Sequence, residues 1–238
     1  MSTMSIVVLV ACVFAAYFAV LFVYMKKKKA RQLDEFKSKH SGKPLDEKQK
    51  RALAFGGILF SNRFEKILTI LPEDNLDTYI AGLKNQWEIE NSSDAKEALE
   101  NLLNLTKSKD IDSFLEGSPE QVKAAQKEIS KELGISLASV EATRSTFGWD
   151  TMRAVSLARW CYWAGYLTEQ ETWEFIHKAA GIASTLGKSW EDYTVSFLLG
   201  RTIHGFDLED IGSMAKYILN GKTRGDENTD IYLKYSYK

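Results

Sequence analysis

Hydrophobic and polar positions along this chain fall into two regimes. From Ile6 to Met25 twenty residues pass without a charge, and Lys26, Lys27, Lys28, Lys29 and Arg31 follow at once. An α-helix rises about 1.5 Å per residue, so this run reaches roughly 30 Å, the hydrocarbon thickness of a bilayer. From about Leu45 onward apolar residues instead recur at helical spacing, as in Leu76, Tyr79, Ile80, Leu83 and Trp87, or Ala95, Leu99, Leu102 and Leu103. The two patterns predict an all-α chain: one N-terminal transmembrane helix plus a compact multi-helix soluble domain. No stretch sustains the alternation of a strand.

Helix ends are marked by their capping chemistry. Asn75 is placed to cap the first of those helices, and Ser92 or Ser93 the second. Ser118-Pro119-Glu120-Gln121 opens a helix that ends at Gly134, and Trp149 to Ala164 reads as one stopped by Gly165. Thr168-Glu169-Gln170-Glu171 is a capping box whose helix ends near Gly187; Ser189 caps the next through Ile203 with Gly205 beyond. Asp207 caps the last, through about Leu219. The expected organisation is a short exterior N-terminus at 1–5, a span at 6–25, a basic juxtamembrane tether at 26–44, a helical domain at 45–221 and a polar, tyrosine-rich tail at 222–238. No fixed-period repeat occurs, so a solenoid is not indicated.

Charge orients the anchor. Basic residues beside a span stay on the cytoplasmic side, which places the N-terminus outside and the 207 residues after Arg31 in the cytoplasm. A cleaved signal peptide would carry its positive charge before the apolar run and a small-residue cleavage site after it. The bilayer is thus the first expected partner, and Lys26, Lys27, Lys28, Lys29 and Arg31 can contact anionic lipid at about 1 kcal/mol each. Beyond that cluster 26 basic residues face 32 acidic ones, a net charge near −6, which argues against nucleic-acid binding. Ala11, Ala15 and Ala19 share one helix face; such spacing permits homo-oligomerisation in lipid, although alanine is also simply common in spans. Cys12 and Cys161 form no disulfide framework, as suits a reducing compartment.

Catalytic signatures are few. His40, His177 and His204 lack metal-ligand spacing, Glu174-x-x-His177 has no second copy on a facing helix, and no phosphate-binding loop occurs, so neither a metal nor a cofactor is expected. Cys161, between Trp160 and Tyr162, reads as a small core residue.

Aromatic and charged residues concentrate instead between Phe147 and Gly205. The pattern is Trp149-Asp150-x-x-Arg153, Leu157-x-Arg159-Trp160, Gly165-Tyr166, Glu171-x-Trp173, Ser189-Trp190-Glu191-Asp192 and Leu199-Gly200-Arg201. This arrangement resembles the bacterial domain-of-unknown-function 1266 family. A shorter upstream piece, Trp87-Glu88-Ile89 followed by Asp94-Ala95 and Leu99, is similar to the family's N-terminal half, with glutamate after Trp87 where the family would place glycine. The resemblance implies an α-helical domain and transfers no activity. Its bacterial membership places the expected anchor in an inner membrane.

Two readings of the block remain open. In one, Arg153, Arg159 and Arg201 knit helices together among Trp149, Trp160, Trp173 and Trp190, with Asp150, Glu171 and Asp192 as their carboxylate partners. In the other, Arg153 and Arg201 line a cleft for an anionic group of a ligand or partner. The candidate binding residues are Asp150, Arg153, Arg159, Arg201, Trp149 and Trp190. The functional expectation is a membrane-anchored helical binding or scaffolding module with a protein partner. The alternative is an enzyme or toxin-associated effector domain with an Asp/Arg-lined cleft.

Overall fold

The N-terminal apolar run and the basic cluster lie on one helix, α1 (Thr3–Lys39), in a computed structural model of the chain. The structure describes residues 3–39, 43–72, 76–117, 119–221 and 230–238, excepting the side chains of 3–11, 29, 114, 116, 117, 119 and 210. Every regular element among them is a helix. Helix α1 does not stop at the lysines, which corrects the expected tether: the backbone stays helical to Lys39, and 40–42 lie outside the described residues. Phe36 on its last turns is buried, its ring centroid 5.2 Å from that of Tyr162 in an edge-on contact. The segment is therefore docked on the body rather than loose.

At its other end α1 is bare. Ten large apolar side chains between Val13 and Met25 are exposed, Val20 by 70% and Phe22 by 69%. Among the described residues no helix is long and apolar enough to cross a membrane, and the expected span begins in side chains outside that set.

The body is built on α2 (Glu47–Ala54), α3 (Gly57–Asn62), α4 (Leu76–Trp87), α5 (Ser92–Leu103), α6 (Thr106–Gly117), α7 (Pro119–Leu133), α8 (Leu137–Glu141) and α9 (Phe147–Trp163). It closes with α10 (Glu169–Leu186), α11 (Trp190–Ile203), α12 (Glu209–Leu219) and the short α13 (Ile231–Lys234). Helix α9 runs through the centre. Every one of its residues but Arg153 is buried, the mark of a helix covered on all sides, and α3, α4, α5, α6, α10 and α11 pack around it. Against α11 the approach is close: a Cβ on Gly148 would stand 2.7 Å from the Phe197 nitrogen and 2.8 Å from the Tyr193 oxygen.

Local signals account for several boundaries. The capping box of α10 forms as expected: the Thr168 hydroxyl accepts from the Glu171 N–H, and the Glu171 carboxylate accepts from the Thr168 N–H. Ser189 caps α11, and Gly165 and Gly205 stop their helices at φ of 76° and 89°, where a side chain would be strained. Helix α5 is capped by Asn91 rather than by either serine, its Oδ1 accepting from the N–H groups of Ser93 and Asp94. Helix α12 starts at Glu209, with the Asp207 carboxylate taking that residue's N–H from just outside the helix. The caps expected at Asn75 and Ser118 lie outside the described residues.

Residues 230–238 of the tail pack back on the body. Tyr232 stacks on Trp190 with ring centroids 4.0 Å apart, and the Tyr237 hydroxyl donates to the Ala183 carbonyl at 2.6 Å. The Arg51 guanidinium donates to the carbonyls of Ser236 and Tyr237.

Candidate functional site

Arg159 projects from α9 into a fully buried position above the Phe60 ring. Its guanidinium donates to the Glu65 carboxylate and to the carbonyls of Lys66 and Thr69 at 2.7 and 2.9 Å. Glu65 in turn accepts from the Tyr79 hydroxyl at 2.8 Å and the Trp160 indole N–H at 3.0 Å, with the Arg63 guanidinium 3.4 Å away. One buried carboxylate thus ties the loop after α3 to α4 and α9. Beside Glu65, burial and the carboxylate's charge push the Tyr79 phenol well above its usual range.

Asp150 and Arg153 pair with each other one turn apart on α9. Asp150, wholly buried, also accepts from the Ser108 N–H at 2.7 Å and so fastens α6 to α9. The Arg153 side chain donates to the Trp149 carbonyl and lies over the Trp149 ring at 4.1 Å and the Trp87 ring at 5.7 Å. Burial draws its pKa below the ordinary value, and the adjacent carboxylate acts in the opposite sense. Next to this pair Asp112 of α6 holds the residues just before α9: it accepts from the Thr146 N–H at 2.7 Å and from the hydroxyls of Ser145 and Thr146, while the Ser196 hydroxyl accepts from the Gly148 N–H in the first turn at 2.8 Å.

Trp190 belongs to the tail contact, its indole N–H donating to the Tyr235 carbonyl at 2.8 Å, with Phe55, Tyr193, Tyr232 and Tyr237 around the ring. Arg201 stands apart at the end of α11. Half-buried, it donates through Nε to the Asp207 carbonyl at 3.0 Å and lies over the Phe206 ring, while its terminal nitrogens meet no described acceptor. Trp149, near Phe206 and His204, has an indole N–H with no hydrogen-bond partner among the described residues.

The six nominated residues therefore divide three ways. Asp150, Arg153 and Arg159 spend their charges inside the fold, the buried rings of Trp149 and Trp190 pack its core and tail, and Arg201 keeps open donors at the end of α11. Of the expected carboxylate partners only Asp150 meets an arginine: Glu171 pairs with Lys96 at 2.6 Å, and Asp192 takes the Thr143 hydroxyl and the Lys188 N–H. Sequence reasoning missed Glu65, Ser108 and Asp112, which lie outside any motif and meet α9 only through the fold.

Other candidate chemistry resolves simply. Cys161 is buried, and burial pushes its thiol up to about 12, far from a thiolate nucleophile. His177 stacks on Trp173, and Glu174 accepts from Gln170 instead. No group of three or more His, Cys, Asp or Glu among the described residues is placed to hold a metal ion.

The family model described as Protein of unknown function (DUF1266) matches residues 82–223, from the end of α4 through α12. The chain belongs to the DUF1266 family. Neither the curated proteins nor the solved structures give a match. The DUF1266 region contains α9 with its partners α5, α6, α10 and α11, and so the Asp150–Arg153 pair and Arg201, whereas Glu65 lies ahead of it. One departure has a conformational reading. Glu88, standing where DUF1266 resemblance expects glycine, has φ of 57°, the left-handed region that glycine occupies freely.

Proposed function

We propose that this DUF1266 protein is a membrane-anchored helical binding module whose body faces the cytoplasm. The observation that carries the anchor is the exposure of ten large apolar side chains on α1 between Val13 and Met25, ahead of a basic collar, on a helix whose far end is docked through Phe36. Aqueous exposure of so large an apolar surface is unfavourable, at about 25 cal/mol per Å², and a bilayer removes that cost. From Lys26 to Phe36 the helix spans about 15 Å, so its docked turns would hold the body just below the headgroups. Two features support the binding role. Arg201 keeps open donors at the end of α11, and a groove of about 520 Å³ between α5 and α10 is lined by Leu103, Ile182 and Leu186.

The anchor is tested on the full-length protein by alkaline carbonate extraction and flotation on a density gradient. Retention with the membrane in both is expected, and release by carbonate would overturn it. The binding face is tested by crosslinking from native membranes. Arg201→Ala is expected to lose the partner with an unchanged thermal transition; capture identical to the unaltered protein would remove Arg201 from the interface.

A further inference from the structure

A second cavity lies in the body, away from α1. It encloses about 410 Å³ between α6, α7, α11 and the segment joining α8 to α9, within the size range of small-molecule sites. Its walls are apolar in part, through Leu115, Val122 and Leu199, and polar in part, through Asp112, Ser113, Gln126, Thr143 and Arg144. Gln126 on α7 is 8% exposed and lines the cavity, yet its carboxamide makes no hydrogen bond to any described residue. Its polar atoms are not sealed in the core, so a ligand's acceptor can reach them from the cavity. Arg144 lines the same cavity and makes no ion pair with a described acid, unlike Arg153 and Arg159.

The remaining charge in the lining, on Asp112, is not available to a cationic ligand. Asp112 is already taken up by three donors, from Ser145 and from the N–H and hydroxyl of Thr146, so no carboxylate is left to receive an amine. The free capacity is one guanidinium fork and one carboxamide, both able to donate to a planar anion. Arg144 and Asp112 together leave the lining near neutral, so a monocarboxylate meets less repulsion there than a doubly charged phosphate would.

We propose that this cavity binds a small organic monocarboxylate with an apolar body, its carboxylate held by Arg144 and Gln126 and its body against Leu115, Val122 and Leu199. The site goes beyond the anchoring reading and stands whether or not α1 enters a bilayer.

Calorimetric titration of the full-length protein in detergent micelles with hydrocinnamate tests it, with empty micelles as the blank. Saturable binding at one site per chain is expected, weakened at least tenfold by Arg144→Ala, an exposed position whose loss leaves the thermal transition unchanged. Val122→Trp, which fills the cavity, is expected to abolish it, and hydrocinnamyl alcohol and phenylpropylamine are expected to bind at least tenfold more weakly. Absence of saturable binding, equal binding by the alcohol, or binding undiminished in Arg144→Ala or Val122→Trp overturns the proposal.

Discussion

Glu65 gathers more buried polar contacts than any acid the sequence nominated, and its energetics follow from what would be left behind without it. Arg159 has no exposed surface, so removing its carboxylate leaves an ionised guanidinium supported only by carbonyls. Glu65→Ala is expected to cost about 3 to 5 kcal/mol, read as a lowered midpoint in chemical denaturation. The same logic applies to Arg153→Ala, which strands the wholly buried Asp150 with the Ser108 N–H. Loss of a comparable amount is expected there, and an unchanged denaturation midpoint would return Arg153 to a free, ligand-facing role. Glu88 runs the other way. It ends α4 in a left-handed conformation, with its own N–H reaching back to the Lys84 carbonyl at 3.2 Å, the bond of an αL cap, and the Ile89 N–H to the Leu83 carbonyl at 3.1 Å. Glu88→Gly relieves a strain of about 1 to 2 kcal/mol against the greater freedom glycine has when unfolded, so a net gain of up to about 1 kcal/mol is expected in the same measurement.

Between elements, the decisive contacts are the ones that sequence could not display. Helices α10 and α11 were legible because their caps are local: Thr168 with Glu171, and Ser189 with Asp192, sit three residues apart. Helix α6 was not, since Thr106–Gly117 is mostly polar, and two of its inward residues, Ser108 and Ile111, make no apolar stripe. Helix α9 begins at Phe147, two residues ahead of the expected Trp149, because what holds its start is distant in sequence: Asp112, 34 residues before Thr146, accepts that residue's N–H and Ser196 accepts from Gly148, just as the partner of Arg159 lies 94 residues away. Aromatic content marked the tail, but only the fold brings Tyr232 onto Trp190. The closest helix pair offers a direct test. Gly148→Ala places a methyl against the backbone of α11, which cannot rotate aside, so a loss of about 3 kcal/mol is expected. A second link, from α5 to α10, depends on pH. The Lys96 ammonium, with help from Thr168, holds the Glu171 carboxyl down to about 2 against an ordinary 4.5. Its folded pKa is the lower, so its contribution is present above about pH 4.5 and is lost as pH falls toward 2. Glu171→Gln is therefore expected to flatten that acid limb of the stability profile while leaving its slope near neutral pH unchanged.

At the scale of the whole molecule, charge is separated along α1. The basic collar at Lys26 to Arg31 sits between a bare apolar segment and a body that, with the rest of the chain, carries 26 basic against 32 acidic residues. In the proposed orientation the collar meets the anionic cytoplasmic leaflet, at about 1 kcal/mol per basic residue, while the acidic body is kept off that surface by like charge. The docking of Phe36 makes the arrangement stiff, because the collar and the body share one helix rather than a coil. The collar should then decide which side the body occupies. Replacing Lys26, Lys27, Lys28, Lys29 and Arg31 together by glutamine removes the retention signal without touching the apolar run or Phe36. Protease added to intact spheroplasts is expected to spare the body of the unaltered protein and to cleave a substantial fraction of the substituted one. Full protection of both would show that something other than the collar sets the orientation, and cleavage of the unaltered body would place it outside.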